Sequence, residues 1–195
     1  NPPWLSMRYI HNPQYRQRVR AMILQDYQLW CSRDTPPYEG GDEGGDMELA
    51  TLFFARCADL YLRGNQSPLC EGGDTGGVIA MVLPRAVLTA DQHRQFTAFS
   101  FKEGGSLTLK LERVLDLEGV SPLFNVPACV LIARKGQPTT YPVPGTVFRG
   151  NLPAKDVLWE EAQPRLARTD TTFDRQGGKL LPQGETIREP RNLRR

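Results

Sequence analysis

The sequence has few residues of the kinds that hold metal ions or form disulfides. Its 195 residues include four cysteines and two histidines. The cysteines are widely spaced without a C-x-x-C pair, and neither histidine lies near other potential ligands. Zinc sites and disulfide frameworks need such clusters. The sequence therefore predicts no metal site, and reduced thiols of the kind found in cytoplasmic proteins.

Long apolar runs are also missing. The chain has no stretch of the roughly 20 apolar residues that span a bilayer as a helix. Its hydrophobic content of 39% and charged content of 24% are typical of a globular protein with one or two domains. We therefore expect no membrane partner.

The net charge of +2 hides an uneven distribution along the chain. Residues 1–33 carry five arginines and one acid, residues 34–74 carry nine acids and two arginines, and residues 163–195 carry eight basic residues and four acids. Basic segments can follow the phosphates of a nucleic acid, and Arg8, Arg16 and Arg18 are candidate contacts. A solvated surface and a frayed tail would explain the same charges.

The most informative stretch is Asn1-Pro2-Pro3-Trp4. Two prolines fix φ and remove two backbone donors, so this loop is stiff. Asn1 offers a side-chain carbonyl acceptor and Trp4 a flat apolar face. Such a loop suits a planar heterocycle whose exocyclic amine donates to the Asn1 carbonyl and to a backbone carbonyl, while its ring stacks on Trp4. A second Pro-Pro pair, within 35–38, lacks the amide and is interpreted as a turn.

The elements behind this motif predict an α/β fold. Apolar periodicity predicts helices over 13–30, 47–63 and 90–100, with Asp46 capping the second. Apolar runs over 78–83 and 128–133 predict strands buried on both faces, as in a parallel sheet, and 107–117 alternates like a strand. The last two strands are close in sequence, which predicts a hairpin. Glycine-rich stretches over 32–46 and 65–77 predict loops.

Three features together resemble the amino-methyltransferases: the Asn1-Pro2-Pro3-Trp4 motif, the run from Gly76-Gly77-Val78 to Pro84, and the terminal hairpin. These S-adenosylmethionine-dependent enzymes methylate adenine N6 or cytosine N4 in DNA, with relatives that act on RNA or on a protein glutamine. The resemblance covers residues 1–136. It implies the C-terminal half of a Rossmann-like methyltransferase domain, with a mostly parallel sheet and an antiparallel terminal hairpin. Residues 137–195, interrupted by seven prolines, would be a linker or the start of a target-recognition region.

The resemblance also implies roles for individual residues. The four motif residues would be catalytic, because Trp4 would stack on a flipped adenine of DNA while Asn1 and Pro2 carbonyls accept the two amine hydrogens. Asn1 would also contact the cofactor, S-adenosylmethionine. The implied substrate-binding residues are Trp4, Asp46, Phe53, Arg8 and Arg16.

The glycine-rich cofactor loop of that family has no counterpart in the sequence, and the chain begins directly on the motif. We therefore expect a fragment that lacks the N-terminal half of its catalytic domain and is inactive alone. We favour a DNA adenine-N6 methyltransferase of the restriction-modification or phage-defence type. A non-catalytic nucleic-acid-binding fragment and a methyltransferase acting on RNA or protein glutamine stay open, and the sequence does not decide the oligomeric state.

Overall fold

The computed structural model describes residues 2–30, 48–64 and 76–183. They form a mixed α/β protein whose core is mostly sheet. The helices are α1 (Pro13–Ala21), α2 (Leu49–Tyr61), α3 (Ala86–Thr89) and α4 (Trp159–Ala162). The strands are β1 (Val78–Pro84), β2 (Ser100–Phe101), β3 (Leu107–Ser121), β4 (Ala128–Lys135), β5 (Val143–Asn151), β6 (Leu166–Gln176) and β7 (Lys179–Pro182). No described helix is long and apolar enough to cross a membrane.

The first helix begins where the sequence predicts. The Asn12 side chain accepts a hydrogen bond from the Tyr15 backbone N–H, and Pro13 occupies the first helical position, where its missing N–H costs nothing. After Ala21 the chain continues as a π-helical turn over Met22–Asp26. Gln28 then adopts a φ of 51°, so the helical segment ends before the predicted limit at residue 30.

α2 confirms the second predicted helix and packs into the core through one face, which includes Ala50, Phe54 and Ala58. The predicted third helix over 90–100 is wrong. α3 precedes it, and 3₁₀ turns over Asp91–His93 and Phe96–Ala98 replace it.

The buried phenylalanines explain why no regular helix forms there. Phe96, Phe99 and Phe101 are all buried, and the first two meet Phe54 edge-on at centroid distances of 5.6 and 6.3 Å. Phe99 has a φ of 52°, in the left-handed region. A straight helix would carry Phe96 and Phe99 on one face but would point Phe101 elsewhere, so contact between all three rings requires the chain to turn.

The main sheet has the strand order β1-β4-β3-β5-β6-β7, with β2 pairing separately to β3. β4 lies between β1 and β3 and is antiparallel to both, which confirms the predicted β3–β4 hairpin. Among the described strands, β3 and β5 form a parallel pair, and the other neighbouring pairs are antiparallel. The predicted mostly parallel sheet is therefore wrong, because apolar runs report the burial of a strand and not the direction of its neighbours.

β1 is also less buried than its apolar sequence suggests. Ile79 and Leu83 are buried, whereas Val78 and Ala80 are exposed. Within the described residues β1 pairs with β4 alone and stands at an edge of the sheet. Successive side chains of a strand point to opposite faces of the sheet, and an antiparallel sheet often has one face in solvent, which accounts for this alternation.

The segment after residue 136 extends the same sheet. β5 pairs with β3 on one side and β6 on the other, and Val143, Phe173 and Leu180 join the main buried cluster. A Cβ at Gly145 would overlap the Phe173 ring, so β5 needs glycine at this close approach. The boundary drawn at 136 from the sequence thus falls inside one sheet of the described residues.

Candidate functional site

The motif loop is fastened to the start of α2. Pro2 is buried and Pro3 exposed. Beyond Trp4, the Leu49 backbone N–H donates to the Leu5 carbonyl at 2.9 Å. The next residues form a 3₁₀ turn whose Met7 side chain lies in the core. Asn1 lies outside the described residues.

Two contacts orient the Trp4 side chain, which also packs against the main buried cluster. Its indole N–H donates to the Val82 carbonyl of β1 at 3.3 Å. Its ring lies 5.2 Å from the Phe124 ring, centroid to centroid, with the two planes inclined by 51°. The hydrogen bond turns the N–H edge of the indole towards β1, and the ring contact places the indole against the turn between β3 and β4.

An open cleft of about 310 Å³ lies between the motif loop and this turn. Its lining residues are Pro2, Trp4, Phe124, Asn125 and Val126. The volume is at the lower end of the range of small-molecule sites. With two aromatic rings and one amide, the cleft suits a small planar ligand that carries polar edges.

The two rings touch each other in this structure. A planar ligand stacked between them needs two layers of about 3.5 Å, or roughly 7 Å in all. The rings are 5.2 Å apart between centroids. A ligand can therefore stack against one ring from the open side of the cleft. To enclose it, the rings must separate by about 2 Å and also turn parallel to each other.

The turn that carries Phe124 is supported from behind by an ion pair. The Arg85 guanidinium lies 2.9 Å from the Asp116 carboxylate and 3.0 Å from that of Glu118. Asp116 is buried, and its second oxygen accepts the Glu118 backbone N–H at 3.0 Å. The Arg85 backbone N–H also donates to the Pro127 carbonyl at 2.8 Å. These bonds tie the end of β1 to the turn.

The same turn is supported from the other side by the strands that follow residue 136. A small apolar cluster joins Val120, Leu152 and Ala162, with the half-buried Leu123, Phe148, Val157 and Leu166 around it. The Lys155 ammonium donates to the side-chain oxygen of Asn125. Residues beyond the predicted domain boundary therefore help to shape the cleft.

Of the predicted pocket residues, the structure places Pro2 and Trp4 at the cleft. Phe53 does not line it: this side chain lies on α2 and is 42% exposed. Asp46, like Asn1, falls outside the described residues.

Two of the three predicted phosphate contacts, Arg8 and Arg16, have neighbours within the protein. The Arg8 guanidinium lies 5.0 Å from the centroid of the Tyr9 ring, a cation–π arrangement. Arg16 donates two hydrogen bonds, of 3.0 and 2.8 Å, to the Ile10 carbonyl. That pair closes the turn before α1, so Arg16 has a structural task whatever else it contacts.

Phe124, Asn125 and Val126 were not predicted as site residues, although their segment matches the hairpin of the resemblance. The available signal was an aromatic residue and an amide in a short, proline-flanked turn between two apolar strands. Loops on a rigid scaffold often carry binding residues. Their approach to Trp4 is a tertiary contact that no local pattern reveals.

A separate polar network lies at the other end of α2. The Asp59 carboxylate accepts hydrogen bonds from the Tyr27 hydroxyl and the Lys102 ammonium, both at 3.0 Å. Burial and the bond to Asp59 raise the pKa of Tyr27 to about 12. Burial alone would raise the pKa of Asp59, but the bonds from Lys102 and Tyr27 outweigh it and hold that pKa below its usual value. The network joins α2 to the segment before β3.

No protein-family model matches the chain, and no curated protein matches it. Among solved structures, the chain is similar to a modification subunit of a putative type I restriction enzyme from Vibrio vulnificus YJ016. The sequence identity is 17% and the TM-score 0.40, over 75% of this chain and 35% of that one. The chain thus spans about a third of the length of that subunit, and a likeness of this degree does not bear on function.

The described residues do not fit S-adenosylmethionine. A donor of this kind is bound where a strand leads through a glycine-rich loop to a helix N-terminus. Within 2–30, 48–64 and 76–183, β1 enters α3 and β5 enters α4 without an intervening glycine. The glycines that follow other strands lie in connections to a further strand.

Proposed function

We propose that the cleft binds a flipped adenine of DNA, and that this chain is the amine-positioning half of a DNA adenine-N6 methyltransferase of the restriction-modification type. The observation that carries the proposal is the placement of the motif residue Trp4. Its indole is anchored to Val82, and its ring meets Phe124 at an open cleft whose remaining lining includes Pro2 and Asn125.

The chemistry follows from what such a loop can offer. The adenine amine is paired and stacked inside the duplex, so the base must leave the stack to react. In the cleft the base would stack on Trp4, while the Asn1 side-chain carbonyl and the Pro2 backbone carbonyl accept the two amine hydrogens. Those bonds orient the nitrogen lone pair and increase its electron density. Orientation and electrostatics carry the rate in this scheme. The methylated amine would release one of its hydrogens as a proton to water after the transfer, so the scheme uses no general base.

The methyl group would come from S-adenosylmethionine, with Asn1 at the boundary between base and donor. The described residues do not fit this cofactor, so no step is assigned to them beyond holding the base. The donor would bind to residues other than those that the structure describes. Arg8, Arg16 and Arg18 would lie along the DNA backbone, where cations contribute binding that weakens as salt increases.

The proposal is tested by binding this chain to two short duplexes that differ at one position. The first carries an adenine opposite an abasic residue, so that the base leaves the stack easily, and the second is abasic on both strands there. Fluorescence anisotropy should show tighter binding of the adenine duplex by about tenfold, since stacking a base on an aromatic side chain contributes about 1–3 kcal/mol. Trp4→Ala should remove this preference.

Trp159→Ala is the matched control, because Trp159 is exposed and does not line the cleft. Phe124→Ala serves as a second variant if Trp4→Ala unfolds the chain. Equal affinity of the unchanged chain for both duplexes would overturn the proposal. If that equal binding fell steeply with salt, a nucleic-acid-binding fragment without a base site would be the better description.

A further inference from the structure

We propose that Asn125 donates a hydrogen bond to a ring nitrogen of the bound adenine, and that Lys155 is the positioning residue that turns the Asn125 amide for this contact. The inference rests on the proposed function, because it concerns the same cleft. It goes further by naming a residue that reads the base and a second residue that sets its orientation. Neither residue belongs to the Asn1-Pro2-Pro3-Trp4 motif.

The orientation of the Asn125 amide follows from the chemistry of its neighbour. The Lys155 ammonium lies 2.5 Å from the side-chain oxygen of Asn125. An ammonium has three donors and no acceptor, so only the oxygen of an amide can face it. The NH₂ group is then what Asn125 can offer to a ligand. Asn125 lines the cleft, so its NH₂ group faces a ligand that occupies the cleft.

Lys155 is held near Asn125 by packing rather than by the exposed hydrogen bond alone. It lies in the connection between β5 and α4, and Leu152 and Val157 on either side of it pack in the apolar cluster. That cluster also contains Val120 and Leu123 from the end of β3 and the turn that follows it. The backbone carrying the ammonium and the backbone carrying the amide therefore belong to one packed unit.

The cleft needs a donor for a base of this kind. The ring nitrogens N1, N3 and N7 of adenine are acceptors, whereas the Asn1 and Pro2 carbonyls bind only the amine. Among the described lining residues, the Trp4 N–H is already bonded to Val82, and Pro2, Phe124 and Val126 have no side-chain donor. The Asn125 amide is the side-chain donor that remains.

The experiment compares four duplexes that carry adenine, 1-deazaadenine, 3-deazaadenine or 7-deazaadenine opposite an abasic residue. Each deaza base lacks one ring acceptor and keeps the amine and the stacking surface. The unchanged chain should bind one of the three about fivefold more weakly than adenine, as expected for the loss of one hydrogen bond. Asn125→Asp keeps an acceptor for Lys155 and removes the donor, so it should bind that analogue and adenine equally.

Lys155→Met keeps the length of the side chain and removes the charge. It should reduce the discrimination against the same analogue, and Lys155→Arg should restore it. If Lys155→Met instead weakens all four duplexes by one common factor, Lys155 contacts phosphate and its positioning role is overturned.

The remaining outcomes separate this inference from the proposed function. In the first outcome, the unchanged chain prefers adenine to the doubly abasic duplex, and Trp4→Ala loses this preference, but all three deaza bases bind as tightly as adenine. This result would overturn the role of Asn125 and leave the base site in place. Absence of any preference for adenine over the abasic duplex would overturn both.

Discussion

The indole ring of Trp4 and the phenyl ring of Phe124 lie 5.2 Å apart, with their planes inclined by 51°. Trp4 follows the two prolines of the motif, and Phe124 lies in the turn between β3 and β4. Their contact joins two segments that are distant in sequence into the walls of one cleft. The stiff loop therefore has a second aromatic surface opposite it, which a loop built only to turn the chain does not need.

This relationship predicts that Phe124 contributes to base binding and Phe53 does not. Phe124→Ala should weaken binding of the extrahelical-adenine duplex by about fivefold to tenfold through lost stacking surface. Phe53→Ala should bind it like the unchanged chain, because Phe53 is on α2 and does not line the cleft. If Phe53→Ala weakened binding of this duplex as much as Phe124→Ala does, Phe53 would have to contribute to base binding. Anisotropy titrations at one salt concentration measure both.

Asn1 should respond to the exocyclic amine and not to the rest of the base. The unchanged chain should bind an extrahelical adenine about fivefold more tightly than an extrahelical purine, which lacks the amine, and Asn1→Ala should bind the two alike. The double-mutant cycle over residue and base isolates this pair. A coupling energy near zero would show that Asn1 does not hold the amine.

His93 should make stability depend on pH. The side chain is 4% exposed, and burial lowers its pKa to about 4. The unfolded chain, with a histidine pKa of about 6.5, binds more protons between these values, so the free energy of unfolding should fall as pH drops through that window. The loss amounts to about 3 kcal/mol over the whole window.

Urea unfolding of the chain and of His93→Leu, at intervals between pH 7 and pH 4, measures this contribution as the difference between the two curves. The free energy of unfolding of His93→Leu should fall less steeply with decreasing pH, because the contribution of His93 is gone. His11→Gln is the matched control for the loss of a histidine, since His11 is exposed. If the stability curves of His93→Leu and of the unchanged chain ran parallel, His93 would not be buried in its neutral form.

Gly145→Ala should destabilise the whole chain. The added methyl group would overlap the Phe173 ring and lie 2.8 Å from the Val114 carbonyl oxygen, an overpacking that costs about 2 kcal/mol. Gly64→Ala, where a Cβ meets nothing within 4 Å, should change stability by less than about 0.5 kcal/mol. Thermal unfolding followed at several wavelengths should show one shifted transition for Gly145→Ala. Two separate transitions would instead place residues 143–182 in a domain of their own.

S-adenosylmethionine should not bind this chain measurably by itself. In the described part of the chain no strand leads through a glycine-rich loop into an α-helix, so the backbone donors that hold such a cofactor are missing there. Titration calorimetry should give only heats of dilution. Binding with a Kd in the micromolar range would reveal a cofactor site that this structure does not describe.

Several elements could be predicted because their signals are local. Asn12 and Pro13 mark the start of α1 through a side-chain cap and a fixed φ. Continuous apolar runs indicated β1 and β4, and the short distance between β3 and β4 indicated their hairpin. Pro2 and Trp4 were singled out from four consecutive residues, and both line the cleft.

Other features depend on contacts between distant segments and could not be predicted in this way. The direction of the strands was misjudged because burial does not specify it. The strands β5 to β7 were missed because prolines such as Pro144 and Pro182 indicate breaks, yet these two lie near the start and at the end of their strands. Phe124 and Asn125 line the cleft because the hairpin brings them close to Trp4.

A base that stacks on Trp4 should change the fluorescence emission of that indole. Trp30→Phe together with Trp159→Phe leaves Trp4 as the only tryptophan of the chain. We predict saturable quenching of this emission by the duplex with an extrahelical adenine and little change with the doubly abasic duplex at equal occupancy. The same response to both duplexes would overturn the proposed stacking, because it would mean that DNA binds without placing a base on Trp4.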